Sequence, residues 1–168
     1  MMSAQYNWKI FTKRITINRE KEIIYRAWAT QAGLENWFLR LAEFTKPSGR
    51  LRSRNEQVEQ GDKYKWLWWG YDDDVVEEKE ILETNGENMV CFSFSGDCIV
   101  TVTVKEEHGE NICELVQQMP MDDEKEQRHF YIECSKGWTF YMTNLKSILE
   151  GGIDLRNKNE AIQNVINA

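Results

Sequence analysis

Chemistry needs acids, bases, nucleophiles or oriented amides, and this chain offers few of them in recognisable settings. His108 falls in Glu-Glu-His-Gly-Glu, the composition of an exposed turn, and His129 precedes Phe130 near the start of a long helical pattern. A general base needs a positioned partner as well as a suitable pKa, and neither setting supplies one. Asp72-Asp73-Asp74 lacks the alternating oxygen ligands that a calcium loop spreads over about a dozen residues, so it reads as a solvated turn. The four cysteines, Cys91, Cys98, Cys113 and Cys134, lack the CxxC pairs of a zinc site. They fall among apolar residues in predicted elements and are expected to be buried, inert thiols of a reducing compartment. No Gly-x-Ser-x-Gly elbow, phosphate loop or dinucleotide fingerprint occurs. The sequence therefore assigns no catalytic residue and no metal ligand, and implies no cofactor.

Three polar features invite a closer reading. In ICELVQQM, Gln117 shares a strand face with Leu115 and Met119. An amide there either orients a ligand oxygen on a cavity floor or pairs with neighbouring side chains or a water. Glu77, Glu78, Glu80 and Glu83 cannot all face one side of a strand; one turned inward would be a polar anchor or carry a raised pKa. Their phase is open. Arg50, Arg52 and Arg54 repeat at period two, as a basic stripe for an anion or as a solvated edge diluted by Glu56, Glu59 and Asp62.

Composition narrows the classes further. The 168 residues suit a single domain with a real core. Seven Trp, seven Phe and six Tyr can line a cavity or fill a core. A net charge of −7 argues against nucleic acid or an anionic membrane surface as partner. No apolar run is long enough for a membrane span. MMSAQYNWKIF lacks the apolar stretch of a secretory signal, so a cytoplasmic location is expected.

The elements that must position these residues follow from periodicity. Lys9 to Ile17 predicts a first strand with Ile15 and Ile17 inward. Asn18 is expected to cap a helix from about Glu20 to Ala29, whose Ile23, Ile24, Ala27 and Trp28 share a face. Thr30 caps a second short helix carrying Leu34, Trp37 and Phe38. Strands are predicted at Leu41 to Thr45, Lys63 to Gly70, Val75 to Glu83, Met89 to Phe94, Cys98 to Glu106 and Ile112 to Met119, with Asn85-Gly86, Ser95-Gly96-Asp97 and His108-Gly109 as turns. A helix from about Asp123 to Glu150 carries Phe130, Cys134, Trp138, Tyr141, Leu145, Ile148 and Leu149 on one face, with Phe140 off it. Gly137 sits within it for a close contact, and Gly151-Gly152 ends it. Residues 1–156 are expected to form the domain. Residues 157–168 then form a polar tail, a loose helix with Ile162, Val165 and Ile166 docked.

This order, and particular residues in it, resemble the START-like (SRPBCC, helix-grip) superfamily. The similarity is nearest to the branch named after the activator of the ninety-kilodalton heat-shock protein ATPase. The matching positions are Ile15 and Ile17, Ala27-Trp28 and Trp37-Phe38, then Gly137-Trp138, Leu145 and Leu149-Glu150, across about residues 9 to 156. The EGGIDLRNKN ending resembles an uncharacterised bacterial START-like subset. The resemblance implies an α+β helix-grip fold, a curved antiparallel sheet around the long C-terminal helix, with a cavity between them. Relatives include carriers of lipids and small apolar molecules, cyclases, and co-chaperone modules linked to stress response.

Two principal readings follow. One is a non-enzymatic domain binding a small apolar or amphipathic ligand, lined by Trp66, Trp68, Phe92, Phe94, Gln117, Trp138, Tyr141 and Leu145. The other is a protein-interaction module with a filled core, using Phe140 or the 162–166 tail. A cyclase-like enzyme is a weaker third, since it requires a polar pair inside the cavity. Ligand, partner and oligomeric state are not legible.

Overall fold

Alternation of apolar and polar residues drives seven strands into one antiparallel sheet. In this computed structural model, which describes residues 5–167, the order across the sheet is β1-β7-β6-β5-β4-β3-β2. The strands are β1 Ile10–Thr16, β2 Leu41–Thr45, β3 Lys63–Leu67, β4 Val76–Thr84, β5 Met89–Phe94, β6 Cys98–Glu107 and β7 Glu110–Gln118. β1 and β2 form the two edges, so the chain between them must cross the sheet. It does so through α1 Lys21–Ala29 and α2 Gln31–Trp37. The 26-residue α3, Glu124–Leu149, follows β7 and packs against the inner face. This is the helix-grip arrangement.

Val100, Val102 and Val104 of β6, Val90 and Phe92 of β5, and Leu115 and Gln117 of β7 all turn inward and are buried. Outward positions pair opposite charges across strands, Lys63 with Glu80 and Lys65 with Glu78. Such pairs contribute a few tenths of a kcal/mol, up to ~1 kcal/mol each. Burial of each large apolar side chain contributes ~1.5–3 kcal/mol, so the core holds the sheet and the surface charges keep it in register. Trp28, Trp37, Phe38 and Trp138 meet at ring-centroid distances of 4.5–5.7 Å where α1, α2 and α3 converge. Gly33 allows this convergence, because a Cβ there would lie 2.3 Å from the Arg26 carbonyl oxygen.

Local rules account for most element ends. Thr30 accepts the Gly33 N–H at 3.0 Å as the α2 cap, and Asp123 accepts the Lys125 N–H at 3.0 Å at the start of α3. Gly151 takes φ +83° and donates its N–H to the Ile148 carbonyl, ending α3.

Four expectations fail. Asn18 does not cap α1: Glu20 occupies that position with no side-chain bond, and the Asn18 N–H instead donates to Glu150 Oε1 at 2.7 Å. A tertiary acceptor outcompetes the local cap. The tail forms no helix, and Ile162, Val165 and Ile166 are exposed while Asn167 is buried. Asn157 and Asn159 accept backbone N–H groups two residues on, an alternative to helix that Asn commonly takes. Arg52 belongs to no stripe and no solvated edge. It is buried among Asp62, Glu56 and Glu59, which fold the loop between β2 and β3 around it. Finally, only Cys98 and Cys113 are fully buried; Cys91 and Cys134 are partly exposed.

Candidate functional site

Between the far end of the sheet and α3 the rings do not close completely. A cleft of about 250 Å³ remains. α2 supplies Phe38 at its end, the β3–β4 connection supplies Trp68, Tyr71 and Val75, and β5 with its following turn supplies Phe94 and Ser95. α3 supplies the opposite wall with Cys134, Gly137, Trp138 and Tyr141, and Glu133 and Lys136 at the rim. Phe38 lies 5.1 Å from Trp138 and 4.9 Å from Tyr141, and Phe94 lies 5.2 Å from Trp138, centroid to centroid. Gly137 presents no side chain to this space. Gly96 sets the β5–β6 turn at φ +65°, with the Phe130 ring 2.7 Å from where a Cβ would stand, which fixes Ser95 at the cleft.

Of the residues expected to line a ligand site, Trp68, Phe94, Trp138 and Tyr141 lie on the cleft wall. Trp66, Phe92, Gln117 and Leu145 lie deeper, each at most 2% exposed. Trp66 stacks on Tyr64 at 3.8 Å and meets Phe92 at 5.3 Å. The deep interior is therefore packed with rings, and the open space is at its mouth. Gln117 accepts the Trp138 indole N–H at 2.8 Å, and its amide faces the Cys98 and Cys134 thiols. It fixes the ring that forms the cleft's inner wall.

The wall also takes residues outside the expected lining set. Phe38, Tyr71, Val75, Ser95 and Cys134 come from four separate segments, and only their convergence makes them a wall. Glu77 does not line the wall but lies behind it, near Ser95 and Cys134. Its cross-strand partner is Trp66, so it shares the inner face. Burial pushes the Glu77 carboxyl above the usual carboxylate range, against Lys79 and the Ser95 backbone amide, which pull it down. Its Oε1 is buried and has no hydrogen-bond partner among the described residues. Burial likewise pushes the Cys98 thiol up to about 12 and raises that of Cys134. Both thiols stay neutral and weakly nucleophilic at neutral pH.

His108, at φ 51°, and His129 are both exposed, and neither lines the cleft, although His129 stands one helical turn from Glu133 at its rim. Asp73 of the aspartate run pairs with Arg40 at the surface. Among the described residues no group of three His, Cys, Asp or Glu side chains is placed to hold a metal ion, and no helix is long and apolar enough to cross a membrane.

Comparison with solved structures finds the same fold in distant proteins. A structural-genomics protein from Staphylococcus saprophyticus superposes with a TM-score of 0.66 at 14% identity, over 88% of this chain and 96% of its own. The Aha1 dimer from Colwellia psychrerythraea gives 0.62 at 16% identity, over 85% and 97%. A conserved protein of unknown function from Enterococcus faecalis gives 0.62 at 15%, over 84% and 71%. No curated protein matches the sequence. The family model "Activator of Hsp90 ATPase homolog 1-like protein" matches residues 18–150, from just after β1 to the end of α3. That span holds the cleft and every ring around it, and the chain belongs to this family.

Proposed function

We propose that the protein is a non-enzymatic START-like domain that binds a small apolar or amphipathic molecule in the cleft between sheet and α3. The observation that carries this reading is an aromatic wall, Phe38, Trp68, Phe94, Trp138 and Tyr141, left facing open space in an otherwise densely packed interior. Ligand sites are concave, mostly apolar and marked by a few polar groups, and Ser95, with Glu133 and Lys136 at the rim, supplies them here. The volume is below the ~300–1,000 Å³ of drug-sized sites and suits one ring or a short chain. The neutral thiols, and histidines that lie outside the cleft wall, give catalysis no poised nucleophile or base within it. Native mass spectrometry of gently purified protein, with extraction of bound lipids and metabolites, tests the reading. A stoichiometric mass shift that Trp138→Ala abolishes supports it; a ligand-free protein that binds no small aromatic probe sinks it.

The second reading, a protein-interaction module, draws on the exposed apolar residues Ile153, Ile162, Val165 and Ile166 in the C-terminal segment. Removal of residues 157–168 then abolishes binding of one specific partner or self-association, measured by pull-down and sedimentation. Unchanged association counts against it.

A further inference from the structure

One side of the cleft, Trp68, Tyr71 and Val75, comes from residues 68–75, the connection between β3 and β4 that lies outside the sheet ladder. Such a stretch opens locally unless something fastens it. Among the described residues, two side chains donate hydrogen bonds to it from elsewhere. Arg40 reaches the Trp68 carbonyl at 3.3 Å and pairs with Asp73. The other is Asn167, which donates to the Trp69 carbonyl at 3.4 Å across 98 positions.

Asn167 inverts the usual order of burial. It is 3% exposed, whereas Val165 and Ile166 beside it are exposed, so this segment docks by an amide and not by its apolar side chains. The same carboxamide donates to the Asn157 carbonyl at 2.9 Å and accepts the Asn157 N–H at 2.7 Å. Residues 157–167 therefore form a closed loop. Its root is Arg156, bonded to the carbonyls of Asn36 and Leu39 at the end of α2. Its fastening lies over Gly70, where a Cβ would stand 2.9 Å from the Asn167 amide nitrogen. Lys158 adds a second contact, its Nζ 5.7 Å from the Trp69 ring centroid. Trp69 and Gly70 are the two residues between Trp68 and Tyr71 of the wall.

We propose that Asn167 is a positioning residue for the cleft, and that the loop 157–167 is a clasp that holds the β3–β4 connection in place as one wall. With the clasp closed, Trp68, Tyr71 and Val75 stand ready for a ligand. With it open, the connection moves freely and a ligand must order it on binding, which lowers affinity. The proposal deepens the ligand-binding reading and rests on it.

Toluene titrated into the full chain by NMR, together with amide hydrogen exchange of the ligand-free protein, tests it. Asn167→Ala should weaken toluene binding about fivefold, the contribution of one hydrogen bond. It should also speed exchange several-fold at residues 68–75 while the urea midpoint stays near that of the parent. Asn167→Asp keeps the acceptor for the Asn157 N–H and loses the donor to Trp69, and should match Asn167→Ala. Ile166→Ser, in the exposed neighbour, should change neither reading. Equal toluene affinity in both Asn167 variants, or faster exchange spread over the whole domain, overturns the clasp and leaves the cleft standing as a ligand site. A parent protein that binds no toluene overturns the ligand-binding reading and this inference together.

Discussion

Two stretches of α3, less than two turns apart, treat buried polarity in opposite ways. At Trp138 and Tyr141 the helix faces rings and open space, with few hydrogen bonds. At Asn144 it faces a fully satisfied polar strap. The Asn144 amide donates to the Trp37 carbonyl at 2.8 Å and to Asp154 Oδ1 at 3.1 Å, and its oxygen accepts the Leu155 N–H at 2.7 Å. Arg156, 6% exposed, donates to the carbonyls of Leu39, Glu35 and Asn36 and pairs with Asp154. This ties the segment after α3 to the end of α2, directly below Phe38. The difference teaches where the molecule spends its hydrogen bonds. The strap fixes α2 against α3, and the cleft beside it can then stay open without collapsing.

If that division holds, the strap should be costly to cut. Arg156→Ala leaves Asp154 without its main partner and three carbonyls unpaired, and should destabilise the protein by about 3 kcal/mol, read as a lower urea midpoint. A loss under about 1 kcal/mol would make the strap incidental. Asn144→Leu should cost about 2 kcal/mol by orphaning the Trp37 carbonyl and the Leu155 N–H. It should also weaken ligand binding indirectly, as α2 and Phe38 shift.

Protonation separates the two regions by sign. Burial alone would raise Asp154, but its bonds with Arg156 and Lys158 outweigh that and hold the carboxyl well below the usual range. A depressed folded pKa adds stability that is present above the usual aspartate range, around pH 4, and lost as pH falls through the folded value. Glu77 is the reverse: its raised pKa means that ionisation costs stability as pH rises from the usual glutamate range through the folded value. Urea titrations across pH 3 to 7 should therefore show Asp154→Asn losing stability mainly at neutral pH. Glu77→Gln should gain stability there, with both differences fading in acid. A Glu77→Gln variant less stable than the parent at neutral pH would place that carboxylate in the satisfied class.

The smallest expected effect is at Gly137. Gly137→Ala should gain up to about 1 kcal/mol in helix propensity while its methyl group intrudes on the cleft and weakens binding of a small aromatic probe such as toluene a few-fold. Unchanged binding would mean that the ligand does not reach α3 at that point.

The fold was legible because its signals are local. Val100, Val102 and Val104 alternate, the Asn85-Gly86 and Ser95-Gly96 turns separate strands, and the largely apolar stripe of α3 runs on to its stop at Gly151. The site was legible in part. Periodicity identified the inward face that holds Trp66, Trp68, Phe94 and Trp138, but a period of two or 3.6 reports a face and not a depth. It therefore could not separate Trp68 at the cleft from Phe92 beneath it. Nor could it set the phase of Glu77, because glutamates on both sides of β4 erase the alternation; pairing with Trp66 decides it.

The sequence by itself determined the strand order's raw material, the two short helices, the long closing helix with its stop, and the aromatic stock of the interior. These depend on contacts within a few residues and on the burial of one face. Only the tertiary structure decided which polar atoms find partners. Trp138 is held by Gln117, Trp37 by Asn144 across 107 positions, and the end of α2 by Arg156. Hydrogen-bond satisfaction is a property of atoms brought together from distant segments, and no local pattern encodes it. The same holds for what is left over: among the described residues, Trp28 Nε1, Trp66 Nε1 and Glu77 Oε1 stand out only after the other buried side-chain groups have been matched.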